Sequence, residues 1–301
     1  VRELRARLLA RRDQRPRPFK DDKVVTAWNG LMLGAFARGY QVLGDARYLD
    51  AAQRAARFIE QRLDTQGTLK RRYRLGEAAH PATLADHAYL IQGLIDLYEA
   101  DFDERWINWA RRLQTRQDAL FRDTGGGGYF LAQPDDFLLV RNKKFTDGAL
   151  PSGNGVAALN GLRLYSLTFE DAYRERAREV FVAAVGGMAR LPQAHGQLLI
   201  ALDFALDWSK EIAVVGRSAN KDAIFSMLNQ RFLPNKVLAY RPGDGETTLQ
   251  ILKDKYSGEG ETTVYVCEDN VCKYPTDDPD KILEFVDARK TFSLNSAAGE
   301  R

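Results

Sequence analysis

Histidine is scarce in this chain, and two of its three copies stand where they could move a proton. His87 directly follows Asp86, and His195 opens the stretch His195-Gly-Gln197. A carboxylate beside an imidazole is a candidate acid–base pair near neutral pH. Asp86 is expected to raise the His87 pKa and favour its acid form. Asp147, in Asp147-Gly-Ala-Leu-Pro-Ser152-Gly-Asn154, supplies a second carboxylate. Asp22, Asn29, Tyr73, Ser152, Asn154 and Gln197 add hydrogen-bonding groups, and Trp28 a large flat ring. The alternative role for several of these is helix capping. Ser152 and Thr83 are good N-caps, and Asp86 suits a helix start.

These residues must be positioned by helices. Thr26–Leu43 is apolar almost all round, which predicts an inner helix buried on most sides. Ala46–Leu63 is two-faced, with Arg47, Asp50, Arg54, Arg57 and Gln61 on one arc and Tyr48, Leu49, Ala52, Ala55 and Ile59 on the other. It reads as an outer helix joined to the first at Gly44-Asp45. Shifts of 58 and 125 positions recover the pair as Leu84–Ala100 with Phe102–Leu120, and as Ser152–Leu167 with Glu170–Val185. A fourth inner helix is expected over His195–Leu206. Repeats of this kind are stacked helical hairpins.

In that register Asn29, His87 and Asn154 are equivalent, as are Trp28, Asp86 and Gly153. Polar residues thus occupy the first turns of otherwise apolar helices. Burying them is costly unless they pair or meet a ligand. Inner-to-outer connections are short, whereas 64–83 and 122–151 are long. The long loops therefore gather over the inner-helix N-termini, where a site is expected. A solenoid built only to bind protein is the competing reading.

Composition sets outer limits. With 45% hydrophobic and 28% charged residues the chain fits a globular protein, and a net charge of +3 argues against a nucleic-acid partner. No apolar run approaches the roughly 20 residues of a membrane-spanning helix. The basic start lacks the apolar core of a signal peptide, and two cysteines form no disulfide framework, so a cytoplasmic setting is expected. A chain opening on Val1 reads as a piece of a longer protein.

Other motifs are weaker. Gly125–Gly128 lacks the Lys-Ser/Thr of a phosphate loop and reads as a hairpin turn. His80 and His87 do not have zinc spacing, so no metal or cofactor is expected. No nucleophile elbow surrounds Ser152. After Trp208 the pattern turns to strands at Glu211–Gly216, Lys236–Tyr240 and Thr262–Cys267, with helices over Asn220–Phe232 and Pro279–Ala288. This is a small α/β unit, expected to be parallel. Cys267 and Cys272 read as two thiols or a hairpin disulfide, apart from the main activity. The division expected is a linker helix and Pro-rich segment over 1–20, a helical-hairpin segment over 21–208 and an α/β appendage over 209–301.

Four stretches together, Arg15–Leu31, Asp147–Ala158, Phe232–Lys236 and Tyr265–Cys272, resemble the thioredoxin-domain-containing YyaL and spermatogenesis-associated protein family. The resemblance runs over nearly the whole chain and matches the C-terminal part of such proteins. It implies a mainly α fold, a partial (α/α)6 toroid similar to six-hairpin glycosidases and 2-epimerases, and an N-terminal thioredoxin-like domain that this sequence does not contain. The family pattern Leu-Glu-Asp-Tyr is Leu84-Ala85-Asp86-His87 here, so one carboxylate is missing.

On that resemblance the partner expected is a small sugar or glycan. Asp86 and Asp147 would be the acid and base of glycoside chemistry. His87 and His195 would instead move a proton in a 2-epimerase-like reaction. Trp28 and Tyr73 would stack on a sugar ring. The alternative is a non-catalytic scaffold working with a thioredoxin-like domain. Only about seven helices are counted where a closed ring needs twelve. The first and fourth inner helices should therefore expose apolar edges, to be covered by the missing half or another chain.

Overall fold

The computed structural model describes residues 1–65, 67–218, 220–243, 245–258 and 261–290. Helix α1 (Arg2–Asp13) buries no residue. Strand β1 (Val24–Val25) leads into inner helix α2 (Thr26–Leu43), followed by outer helix α3 (Ala46–Arg62). The expected loop over 64–83 is an antiparallel ribbon of β2 (Asp64–Thr65), β3 (Thr68–Arg74) and β4 (Glu77–Pro81), with β1 added at its edge so that Val24 lies opposite Tyr73. Inner α4 (Leu84–Asp101) and outer α5 (Glu104–Phe121) form the second hairpin, inner α6 (Gly153–Thr168) and outer α7 (Asp171–Arg190) the third, and α8 (Gly196–Leu206) is a fourth inner helix.

The repeat is most faithful at its turns. Gly44, Phe102 and Phe169, 58 and 125 positions apart in register, all adopt the left-handed conformation that ends an inner helix. The next residues, Asp45, Asp103 and Glu170, are the N-caps of the outer helices. Phe102 tolerates its positive φ because its ring stacks on Phe225 at 4.8 Å and meets Tyr240 edge-on at 5.4 Å.

Helices α2 and α4 approach backbone to backbone. A Cβ on Gly93 would lie 2.5 Å from the Gly30 carbonyl oxygen, so only glycine fits there. Central helices α4 and α6 are buried almost all round. Helix α2, expected to be buried on most sides, is buried only on the Thr26–Gly30–Leu33–Ala37 face. The reason is position: it ends the row, and among the described residues no inner helix covers its other side. Trp28, Met32, Val42 and Leu43 on α2 are therefore exposed, as are Leu199, Ile200 and Leu206 on α8 at the opposite end. The fold is a mainly α, partial toroid of helical hairpins.

The C-terminal unit contains β5 (Lys210–Gly216), α9 (Lys221–Asn229), β6 (Lys236–Arg241), β7 (Thr262–Glu268), β8 (Val271–Cys272) and α10 (Pro279–Asp287), with sheet order β6-β5-β7-β8. Strands β5 and β6 are parallel across the α9 crossover. Contrary to the all-parallel expectation, β7 runs antiparallel to β5, because among the described residues only a short 3-10 turn at Gln250–Leu252, and no crossover α-helix, lies between β6 and β7. A two-residue turn at Asp269-Asn270, both with positive φ, closes β7 onto β8, and Cys267 and Cys272 are disulfide-bonded across it. The sheet has two apolar faces. Ala213, Val215, Val237 and Ala239 join the core of the helical hairpins. Ile212, Val214, Leu238, Val264 and Val266 pack with residues of α9 and α10.

No helix among the described residues is long and apolar enough to cross a membrane.

Candidate functional site

The first turns of α4, α6 and α8 gather most of the singled-out residues, and each is held by its own bonds. Asp86, fully buried, forms a capping box with Thr83 at the start of α4. Its Oδ2 accepts from the Thr83 backbone N–H at 2.8 Å, the Thr83 hydroxyl at 2.8 Å and Arg71 at 3.3 Å. Its Oδ1 accepts from the Ala27 N–H of α2 at 3.0 Å. One carboxylate therefore binds the starts of two inner helices to strand β3.

His87 is buried, with Nδ1 3.1 Å from the Thr83 carbonyl and its ring edge-on to Phe121 at 5.2 Å. A carbonyl can only accept, so Nδ1 carries the proton. Nε2 is buried and has no hydrogen-bond partner among the described residues. Burial pushes the His87 pKa down, outweighing both the Thr83 bond and the charge of Asp86. This reverses the expected rise. Asp86 is committed to backbone donors, and the imidazole is a neutral core group.

A second cluster joins α6 and α8. Asp147 Oδ1 accepts from the Ser152 N–H at 2.7 Å, and its Oδ2 from the Gln197 N–H at 2.8 Å. Ser152 caps α6 by accepting from the Gly155 N–H, while its hydroxyl donates to the Lys144 carbonyl. Asn154 accepts from the Tyr129 N–H at 2.7 Å and donates to the Tyr129 and Lys144 carbonyls, fixing the long loop on the helix. His195 is buried at the start of α8, with Nδ1 2.9 Å from the Leu191 carbonyl. The Gly125–Gly128 turn lies in the same loop, with Asp123 accepting from the Gly125 and Gly126 N–H groups.

Tyr89 lies between the two clusters. Its hydroxyl donates to the Pro151 carbonyl, and its pKa is pushed up to about 12 by burial, with further contributions from Asp147 and Asp86. Neither Tyr89 nor Arg71 was singled out in the sequence. Tyr89 is hidden within an apolar run, and only the β3 pairing brings Arg71 to Asp86.

The remaining predicted residues sit at the open edge. Trp28 is 58% exposed in the first turn of α2. Asn29 donates to the Val25 carbonyl at 2.9 Å, Tyr73 meets Phe58 edge-on at 5.2 Å, and Asp22 accepts from Arg74 at 2.6 Å. Among the described residues no group of three or more His, Cys, Asp or Glu side chains could hold a metal ion. Two clefts of about 550 Å³ lie at the other end, where inner-helix C-termini meet the α/β unit.

No family model matches the chain. Among solved structures it resembles cellobiose 2-epimerase from Bacillus thermoamylovorans B4167, with 14% identity and a TM-score of 0.46 over 55% of this chain and 45% of that one. It also resembles a GH76 α-mannanase of Bacteroides thetaiotaomicron, with 18% identity and a TM-score of 0.47 over 57% of this chain and 47% of that one. Human spermatogenesis-associated protein 20 is 35% identical over 291 residues, covering 91% of this chain. The chain is thus similar to spermatogenesis-associated protein 20 and spans 37% of the human protein's length.

Proposed function

We propose that this chain is the carbohydrate-binding part of a helical-hairpin toroid, with a sugar ring seated on Trp28. The observation that carries the reading is the exposure of that indole in the first turn of an inner helix. A tryptophan face suits the apolar face of a sugar ring. The β1–β3 pairing brings the segment before Trp28 to the Tyr73 strand, where Asp22 and Arg74 form a solvent-facing ion pair able to bond hydroxyls. Asn29 and Tyr73 complete this edge.

In this reading Asp86, Asp147, Ser152, Asn154 and Gln197 support the binding surface. Glycoside hydrolysis by Asp86 and Asp147 would need each to release a backbone donor before reaching a substrate. Proton transfer by His87 and His195 would need buried rings to be uncovered. The occupied oxygens favour binding without turnover. A scaffold reading is favoured by one observation, the apolar edges of α2 and α8, which suit a covering chain.

The test is tryptophan fluorescence during titration with cellobiose and α-1,6-mannotriose, followed by a glycan array. A saturable change lost in Trp28→Ala, with stability altered by less than about 0.5 kcal/mol, is expected. Failure of every glycan to bind the folded wild-type chain overturns the reading.

A further inference from the structure

The basic chamber between α2 and the Phe232–Lys236 segment is separate from the inner-helix N-termini. Its volume is about 180 Å³, and Arg38, Gln41, Asn229, Arg231 and Lys236 contribute its polar lining. Among the described residues no carboxylate lines it. Gln41 and Asn229 also line one of the larger clefts, where Phe102, Phe225 and Tyr240 form an aromatic wall, so the chamber adjoins that cleft.

Behind the chamber lies a buried ionic cluster. Arg163 is 2.8 Å from Asp96 and 3.0 Å from Glu99, and Arg38 is 2.8 Å from Asp96. Asp96 thus faces two guanidinium groups and Glu99 one, although Glu99 Oε1 has no hydrogen-bond partner among the described residues. Lys236 adds a third cation beside these two anions. It is 8% exposed, and its Nζ has no hydrogen-bond partner among the described residues. Buried ammonium groups are ordinarily paired. The amide nitrogen of Gln41 is likewise buried without a partner. Burial holds the Lys236 amine below the usual lysine range, and Arg38 and Arg163 oppose its charge while Glu99 and Asp96 favour it. An arriving anion would supply the missing counter-charge.

We infer that this chamber binds a compact oxyanion, the carboxylate or phosphate group of a small molecule, through Lys236 with Arg38, Arg231 and the Gln41 amide. Oxyanions accept several charge-assisted bonds at once, which suits converging ammonium, guanidinium and amide donors. The aromatic wall beyond would carry the rest of the molecule.

The test is thermal unfolding of the full chain in graded sodium phosphate and, separately, sodium acetate, with ionic strength matched by sodium chloride. A saturable rise in Tm beyond the chloride control is expected from at least one anion, and the two arms decide between phosphate and carboxylate. Lys236→Met, which removes an unpaired buried charge at similar volume, should fold and bind that anion at least tenfold more weakly. Arg231→Gln, at a half-exposed position, should weaken it severalfold and serves if the Lys236 variant does not fold. A wild-type Tm that follows ionic strength alone overturns the inference. So does a folded Lys236→Met with an unchanged response, or an unchanged response in Arg231→Gln where the Lys236 variant fails to fold.

Discussion

The backbone N–H of Ala27 donates to Asp86 Oδ1 across 3.0 Å, so the carboxylate that caps one inner helix also holds the start of its neighbour. Asp86→Asn would keep one acceptor but turn an amide N–H₂ towards existing donors. A loss of about 2 kcal/mol is expected, the usual cost of breaking a buried charge-assisted bond. Urea denaturation checks this. Unchanged stability would show that Asp86 is not the tie between α2 and α4.

His87 and Glu211 should tilt the pH profile in opposite directions. The folded His87 pKa is depressed, so the unfolded chain binds more protons as pH falls below the ordinary histidine value, and stability is lost there. Glu211 is pushed up to about 7, chiefly by burial, against bonds from the Asn270 N–H and the Ser166 hydroxyl. Its folded form holds the proton longer, so its contribution is full below the ordinary carboxylate range and is lost as pH rises towards 7. A pKa moved from 4.5 to about 7 corresponds to roughly 3 kcal/mol. Denaturation from pH 4 to 8 should show Glu211→Gln removing the loss towards neutrality and His87→Phe removing the acid-side loss.

Gly93→Ala should destabilise by about 3 kcal/mol or more, because the new methyl meets a carbonyl oxygen rather than a yielding side chain. Gly30→Ala, 2.6 Å from the Tyr89 carbonyl carbon, should behave alike. Gly39→Ala is the control: its nearest neighbour is the Tyr48 ring at 3.7 Å, and helix propensity predicts a gain of about 0.5–1 kcal/mol. Equal effects in all three would remove the close helix crossing as the cause.

Phe102→Gly tests what sustains a left-handed aromatic residue. Relief of the backbone returns about 1 kcal/mol, while deletion of a partly buried ring against Phe225 and Tyr240 removes about 3 kcal/mol. A net loss of about 2 kcal/mol is expected in chemical denaturation. A more stable variant would show the ring to be dispensable.

Much of the helical row is legible in the sequence because its signals are local. The Gly44–Asp45 turn and its equivalents at 102–103 and 169–170 sit in register, and the Ser152 cap needs only its own helix. What the first turns are for is not legible in this way. Thr83 and Ser152 are local partners of Asp86 and Asp147, but Ala27 and Arg71 for the one and Gln197 for the other lie far along the chain, so this satisfaction cannot be read from residue type. The exposure of α2 is hidden for a similar reason: an apolar helix gives no sign of how many neighbours it has. Lys236 stands within an ordinary strand pattern, and only the packing of β6 near Asp96 and Glu99 gives its ammonium a setting.

The two-faced sheet has a consequence for how the molecule comes apart. Its Ala213, Val215, Val237 and Ala239 face shares a core with the helices, and Asn270 donates to Tyr165 of α6 at 3.0 Å. Thr248 adds bonds to Glu104 at the start of α5. Chain ending at Trp208 would expose that core and uncover the Arg163 ion pairs. Hairpins and sheet should therefore melt in a single calorimetric transition, with amide-exchange protection rising and falling together in α6 and β5.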